Sequence, residues 1–182
     1  MTYLINSNKV IETLNETLKT DGFHQQIQNI AKKIKEINLE KKITLIFGNG
    51  GSAADSQHFA AELVCTYKKR NRKPYKAIAL TTDTSILTAW SNDFEFDTIF
   101  SRQIKAFEGI TGLSIGLSTS GKSKNVINAL ELSKSMGITT CLICGENQIS
   151  PNKFDFILKI PSKDTGTVQT VTQVIYHSIC DL

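Results

Sequence analysis

From residue 43 onward the chain alternates between short apolar runs and helical patterns, and few architectures accept that alternation. The strand-like runs cover 43–47, 77–80, 113–117, 139–144 and 156–160. Helical spacing of apolar residues fills the gaps at 53–67, 84–90, 97–107 and 123–136, and a last helix starts near residue 165. Strands that alternate with helices pair in parallel, because a parallel connection needs a crossover long enough to hold a helix. Both faces of such a sheet are covered, which fits runs that are apolar throughout. The first forty residues carry Ile11, Leu14 and Leu18, then Ile27, Ile30, Ala31, Ile34 and Ile37, at helical spacing. Asp21-Gly22 divides them into two helices. The expected fold is α/β: a three-layer α/β/α sandwich with a five-stranded parallel sheet. It forms one domain over 1–182, with 1–40 as an N-terminal helical extension.

The length of 182 residues suits one domain with a sizeable core. A net charge of +4 fits an anionic small molecule better than nucleic acid. Most of the excess sits in Lys68, Lys69, Arg70, Arg72 and Lys73, a run that reads as a solvated loop. No apolar stretch reaches a membrane span, and residues 1–10 lack the pattern of a signal peptide, so the cytoplasm is the expected compartment. Cys65, Cys141, Cys144 and Cys180 all lie in apolar segments and read as buried hydrophobes. Cys141 and Cys144 form a C-x-x-C, but on a strand they point to opposite faces, and no second pair completes a zinc site.

Two strand ends carry the chemistry. The first run enters Gly48, Asn49, Gly50 and Gly51 before Ser52 opens a helix. Glycines let backbone N–H groups approach a ligand, and the helix N-terminus favours an anion such as phosphate. The third run ends in Ser118, Thr119, Ser120, Gly121, Lys122 and Ser123 ahead of another helix, which places several hydroxyls around one glycine. Ligands of open α/β sheets bind beyond the carboxyl ends of the strands, so both loops belong to one edge. Neither loop fits the P-loop or the dinucleotide pattern.

The chain has three histidines. His24 lies in a polar stretch near the N-terminus. His58 and Glu62 are four residues apart on one helix face. His177 shares one side of the last helix with Gln169 and Gln173. A histidine and a carboxylate at this spacing can hold zinc, or act as an acid and a base. An anion anchor beside such a pair points to an enzyme acting on a phosphorylated small molecule.

These motifs resemble those of the sugar isomerase (SIS) domain superfamily and, within it, the phosphoheptose isomerase family. The matching segments are Gly-Asn-Gly-Gly-Ser at 48–52, His-Phe-Ala-x-Glu-Leu at 58–63 and Asn92-Asp93. Phe-Ser-Arg-Gln at 100–103, Ser-Thr-Ser-Gly-x-Ser at 118–123, and Gln169 with His177 complete the series. The resemblance implies a flavodoxin-like sheet order and a homotetramer with sites between subunits, the 1–40 extension serving oligomerisation. It implies conversion of sedoheptulose 7-phosphate to D-glycero-D-manno-heptose 7-phosphate through an enediolate, toward lipopolysaccharide or other surface glycans. Glu62 is then the base and His177 the acid. Ser52, Ser118, Thr119, Ser120 and Ser123 hold phosphate, Asn49 and Asp93 contact the sugar, and Gly50, Gly51 and Gln169 line the substrate site. His58, Glu62, Gln169 and His177 are the zinc ligands the resemblance implies, at modest affinity.

The chain departs from the family at Thr66, where an Arg is usual, and at Thr167, Thr170 and Thr172, which stand where Arg, Glu and His are usual. The alternative reading is a non-catalytic SIS tetramer, either a scaffold for a replication initiator or a sugar-phosphate sensor. Retention of Glu62 and His177 favours the enzyme.

Overall fold

The computed structural model describes residues 7–181. Helices α1 (Ser7–Lys19) and α2 (Phe23–Leu39) precede β1 (Ile43–Gly48), α3 (Gly51–Val64) and β2 (Ala77–Ala79). Next come α4 (Thr84–Asp93), a one-turn 3-10 helix (Phe96–Thr98), α5 (Ile99–Ala106), β3 (Thr111–Ser118) and α6 (Lys124–Ser135). The chain ends with β4 (Thr139–Cys144), β5 (Phe156–Lys159) and α7 (Thr165–Cys180). The five strands are parallel and ordered β2-β1-β3-β4-β5, the flavodoxin-like arrangement.

Period-2 alternation sorts the strand residues into two cores. Ile46, Leu113, Ile115, Leu117, Cys141 and Ile143 face α2, α3 and α7. Leu45, Phe47, Leu142 and Cys144 face α5 and α6. Helix α6 can press on β3 because residue 116 is glycine: a Cβ there would stand 2.7 Å from the Val126 side chain. Helix α2 is part of the covering layer, burying Phe23, Ile30, Ile34 and Ile37. Helix α1 lies outside it, against α2 and α7. It buries Thr13 and Thr17 while Ile11 and Leu18 stay exposed.

Cys141 and Cys144 fall in opposite cores, as strand geometry requires. Burial pushes the Cys144 thiol up to about 11 and the Cys180 thiol to about 12, and raises Cys141 further. Since the thiolate is the reactive form, all three are inert at neutral pH. Cys65 departs from the expected burial. It is exposed because it caps the C-terminus of α3, where the chain leaves the helix for the surface. A thiol titration of the native protein should therefore count one fast-reacting cysteine, rising to four on unfolding. Two or more in the native state would contradict the packing.

Two helices end differently from the spacing pattern. The pattern over 53–67 stops at Val64, because Cys65 leaves the helix at ψ −134°, and Tyr67 beyond it takes φ +46°. The pattern over 97–107 splits into the 3-10 turn and α5, with Thr98 Oγ1 accepting a hydrogen bond from Trp90 Nε1 at 2.9 Å. Within the basic run, Arg72 is no solvated charge. Its guanidinium donates to the carbonyls of Glu62 (2.6 Å) and Leu63 (3.0 Å) and lies over the Tyr75 ring, capping the negative end of α3.

Candidate active site

The first loop is built by close approach. A Cβ at Gly48 would lie 2.8 Å from the Leu117 carbonyl oxygen and 2.9 Å from that of Ser52, so only glycine lets β1, β3 and α3 meet there. Gly50 takes φ +56° and ψ −121°, and Ser52 N–H then donates to Asn49 O at 3.0 Å to start α3. Ser52 itself is buried.

The second loop leaves β3 alongside the first, since Gly48 pairs in register with Leu117. Ser118 Oγ lies 2.9 Å from Ser123 Oγ, and Lys122 N–H donates to Ser120 Oγ at 3.1 Å. Gly121 makes the turn at φ +64°. Asn49 and Asn125 exchange two amide hydrogen bonds of 2.8 Å each, which latches the two loops together. Asn125 is buried and also receives the Val126 N–H, so its orientation is fixed. The residue types did not single out Asn125, because an Asn at a helix start reads as an ordinary cap. A cavity of about 500 Å³ opens beside this loop over Thr119, Ser120, Lys122, Asn147 and Lys163.

Two turns along α3 the second half of the site begins. His58 Nε2 lies 3.1 Å from Glu62 Oε1. Helix α7, packed parallel to the same layer, brings His177 against them, with His58 and His177 ring centroids 5.1 Å apart and nearly perpendicular. The ligand atoms of His58, Glu62 and His177 all lie within 4.8 Å of one another. Tyr67 stacks on His177 at 5.6 Å, and its left-handed backbone is the local cost of putting that ring there. Burial, together with the neighbouring His58, pushes the His177 pKa down, which favours its neutral imidazole. Asp55, one turn before His58, is shifted the other way by burial, with His58 opposing.

A residue outside the sequence-derived set completes the cluster. Tyr176 Oη stands 2.8 Å from His58 Nδ1, and burial holds its phenol up at about 12. The expected sugar and substrate contacts are spread more widely. Gln169 packs its amide directly on Gly51, where a Cβ would collide with its Nε2. It is therefore at the loop, roughly 12 Å along α7 from His177. Asp93 ends α4, exposed, and accepts from the neighbouring Asn92 amide at 2.8 Å. His24 is exposed on α2.

Two of the threonines that depart from the family pattern have structural partners. Thr167 donates its N–H (2.8 Å) and its hydroxyl (2.7 Å) to Asp164, capping α7 and holding that carboxyl below the usual carboxylate range. Thr170 bonds back to the Gly166 carbonyl, and Thr172 is buried.

A parallel α/β sheet with two glycine- and hydroxyl-bearing loops at its carboxyl edge and a His-Glu-His cluster further along α3 is the arrangement of a sugar-phosphate-handling class. The SIS domain family matches residues 2–145, and the chain belongs to that family. Within it the chain groups with the phosphoheptose isomerases. It is 44% identical over 174 residues to the phosphoheptose isomerase of Clostridium acetobutylicum, covering 94% of this chain and 88% of that one. It is 45% identical over 165 residues to that of Aquifex aeolicus, covering 88% and 84%. Among solved structures, the phosphoheptose isomerase of Francisella tularensis superposes with a TM-score of 0.89 at 29% identity, covering 100% of this chain and 97% of that one. The one from Neisseria gonorrhoeae gives 0.83 at 31% identity, covering 96% and 92%.

Proposed function

We propose that the chain interconverts sedoheptulose 7-phosphate and D-glycero-D-manno-heptose 7-phosphate, with Glu62 as base and His177 as acid. The observation that carries this is the convergence of Glu62, His58 and His177 at one end of α3, while the phosphate loops sit at the other. Ten residues, or roughly 15 Å of helix rise, separate Ser52 from Glu62, and the Glu62 side chain leans back toward the start of the helix. A sugar phosphate laid along α3 bridges that distance, with phosphate at Ser52, Ser118, Thr119, Ser120 and Ser123 and the reacting carbons at Glu62. Glu62 takes the proton from one carbon and returns it to the neighbouring one, through an enediolate. The neutral His177 imidazole donates its N–H to the oxygen that gains charge. Anchoring the remote phosphate supplies orientation. Asn49, Gly50, Gly51, Gln169 and Asp93 are proposed for the sugar, the first four at the loop.

Two imidazoles and a carboxylate within 4.8 Å suit zinc in chemistry and in reach. His58, Glu62 and His177 would hold it, and the ion would polarise the substrate oxygens when bound; Gln169, whose amide packs on Gly51, would have to swing away from the loop to join them. The scaffold and sensor readings leave this convergence without a use. The exposed Ile11 and Leu18 on α1 support assembly, because the helix packs Thr13, Leu14 and Thr17 inward and leaves these two apolar side chains uncovered. We therefore assign a homotetramer, and the expected mass by light scattering at micromolar concentration is four chains. A fully active monomer would refute it. No helix among the described residues is long and apolar enough to cross a membrane, and we place the enzyme in the cytoplasm, feeding surface-glycan heptose. The deciding assay incubates purified protein with sedoheptulose 7-phosphate, with and without added zinc. The aldose product is expected, and its absence in both arms would overturn the reading.

A further inference from the structure

We propose that Tyr176 is a positioning residue that sets the tautomer and the direction of His58, and through it the strength of the metal and acid/base cluster. The inference rests on the acid/base and zinc reading above. Tyr176 is fully buried, wedged between α3 and α7, and its ring stacks on Phe59 at 5.2 Å with 16° between planes. That packing leaves the hydroxyl one place to point. Its oxygen lies 2.8 Å from His58 Nδ1.

An imidazole held by one nitrogen has its other nitrogen aimed. With Nδ1 held by Tyr176, Nε2 faces Glu62 at 3.1 Å, on the side where His177 sits. The choice of a phenol matters. A backbone carbonyl or a carboxylate at that place could only accept, which would fix the Nδ1–H form. A hydroxyl donates or accepts as required. Without metal, the Tyr176 O–H donates to Nδ1, and Nε2–H donates to Glu62. Were a cation held by Nε2, the imidazole proton would sit on Nδ1 and would donate to the Tyr176 oxygen. The same side chain satisfies His58 in both states, with no change of rotamer. The sequence offers no Glu or His at 170 and 172 to do this, because both positions are threonine.

Tyr176→Phe keeps the ring and its stacking and removes only the hydroxyl, which separates positioning from packing. Zinc affinity, measured by competition with a chromophoric chelator, should fall about 10-fold, the lower end of what loss of a ligand's hydrogen-bond partner does. Affinity for inorganic phosphate at the two loops should stay within twofold. Turnover of the heptulose phosphate should fall with little change in KM. Zinc affinity within twofold of wild type would overturn the proposal, as would a parallel loss of phosphate affinity, which would mark general loosening. A second readout needs no variant. Long-range proton–nitrogen NMR of the metal-free wild type should show His58 protonated at Nε2. A dominant Nδ1–H form there would overturn the proposal even if Tyr176→Phe failed to fold. Failure of the isomerase reading looks different, because the wild type would then lack turnover while keeping the His58 tautomer. Absence of any zinc binding by the wild type would overturn the metal-bound half.

Discussion

Glu62→Gln should lower kcat by about 10²–10⁴-fold, the usual contribution of a positioned general base. The substitution is nearly isosteric, and its backbone is secured independently, since Arg72 holds the Glu62 carbonyl at 2.6 Å. Helix α3 therefore keeps its last turn, and the effect is confined to the carboxylate. The amide still accepts from His58 Nε2 through its oxygen, so the imidazole stays in place. What disappears is a group able to accept a proton from carbon. KM should change little, because the phosphate loops lie roughly 15 Å away along the helix and bind substrate and transition state alike. Glu62→Asp tests geometry rather than chemistry. It keeps the carboxylate but withdraws it by one methylene, and a displacement of that size costs on the order of 10²-fold. Steady-state kinetics on both variants, with inorganic phosphate as a competing ligand, reads the outcome. Near-normal turnover in the Gln variant would remove Glu62 from the proton path.

The parts of this site that sequence reveals are those encoded by local periodicity. The strand runs, the two loops and the His58–Glu62 pair each sit within a few residues, and the structure places them as the spacing implies. The assignment of Cys141 and Cys144 to opposite faces follows from strand pleat alone. What escapes is set by packing between elements. Tyr176 precedes His177 and so points about 100° away around α7, off the side that carries Gln169, Gln173 and His177. Only the placement of α3 shows that this direction leads to His58 Nδ1. Arg72 looks like one more charge in a basic loop until the chain folds back and lays it on the end of α3. The Asn49–Asn125 latch joins residues 76 positions apart, beyond any local pattern. Cys65 illustrates the reverse error, since an apolar neighbourhood in sequence ends there at a helix terminus on the surface.

Gly50→Ala should cost either the stability of the domain or the affinity of the anion end of the site, and for a reason that lies in the backbone rather than in any contact. Space is no obstacle at this position, because a Cβ there meets nothing within 4 Å. The obstacle is the backbone, which sits at φ +56° and ψ −121°, a combination that glycine alone takes without strain. Holding an alanine there costs about 1–3 kcal/mol. For a chain of this size that corresponds to a fall in melting temperature of about 2–12 °C. If the loop relaxes instead, stability returns, but the start of α3 turns and the Ser52 N–H loses Asn49 O. Either response is measurable. A strained loop lowers the melting temperature and keeps KM, whereas a relaxed loop keeps the melting temperature and raises KM for the sugar phosphate. Gly50→Asn should behave no better than alanine, since asparagine tolerates the left-handed helical region but not ψ near −121°. Gly51→Ala makes the contrast. Its added methyl strikes the Gln169 amide, a movable side chain, so Gln169 swings away while the backbone stays as it is. That variant should lose sugar affinity with little change in melting temperature. Wild-type stability together with wild-type KM in Gly50→Ala would mean that the loop geometry is dispensable, and phosphate would then have to be held by the Ser118–Ser123 loop alone.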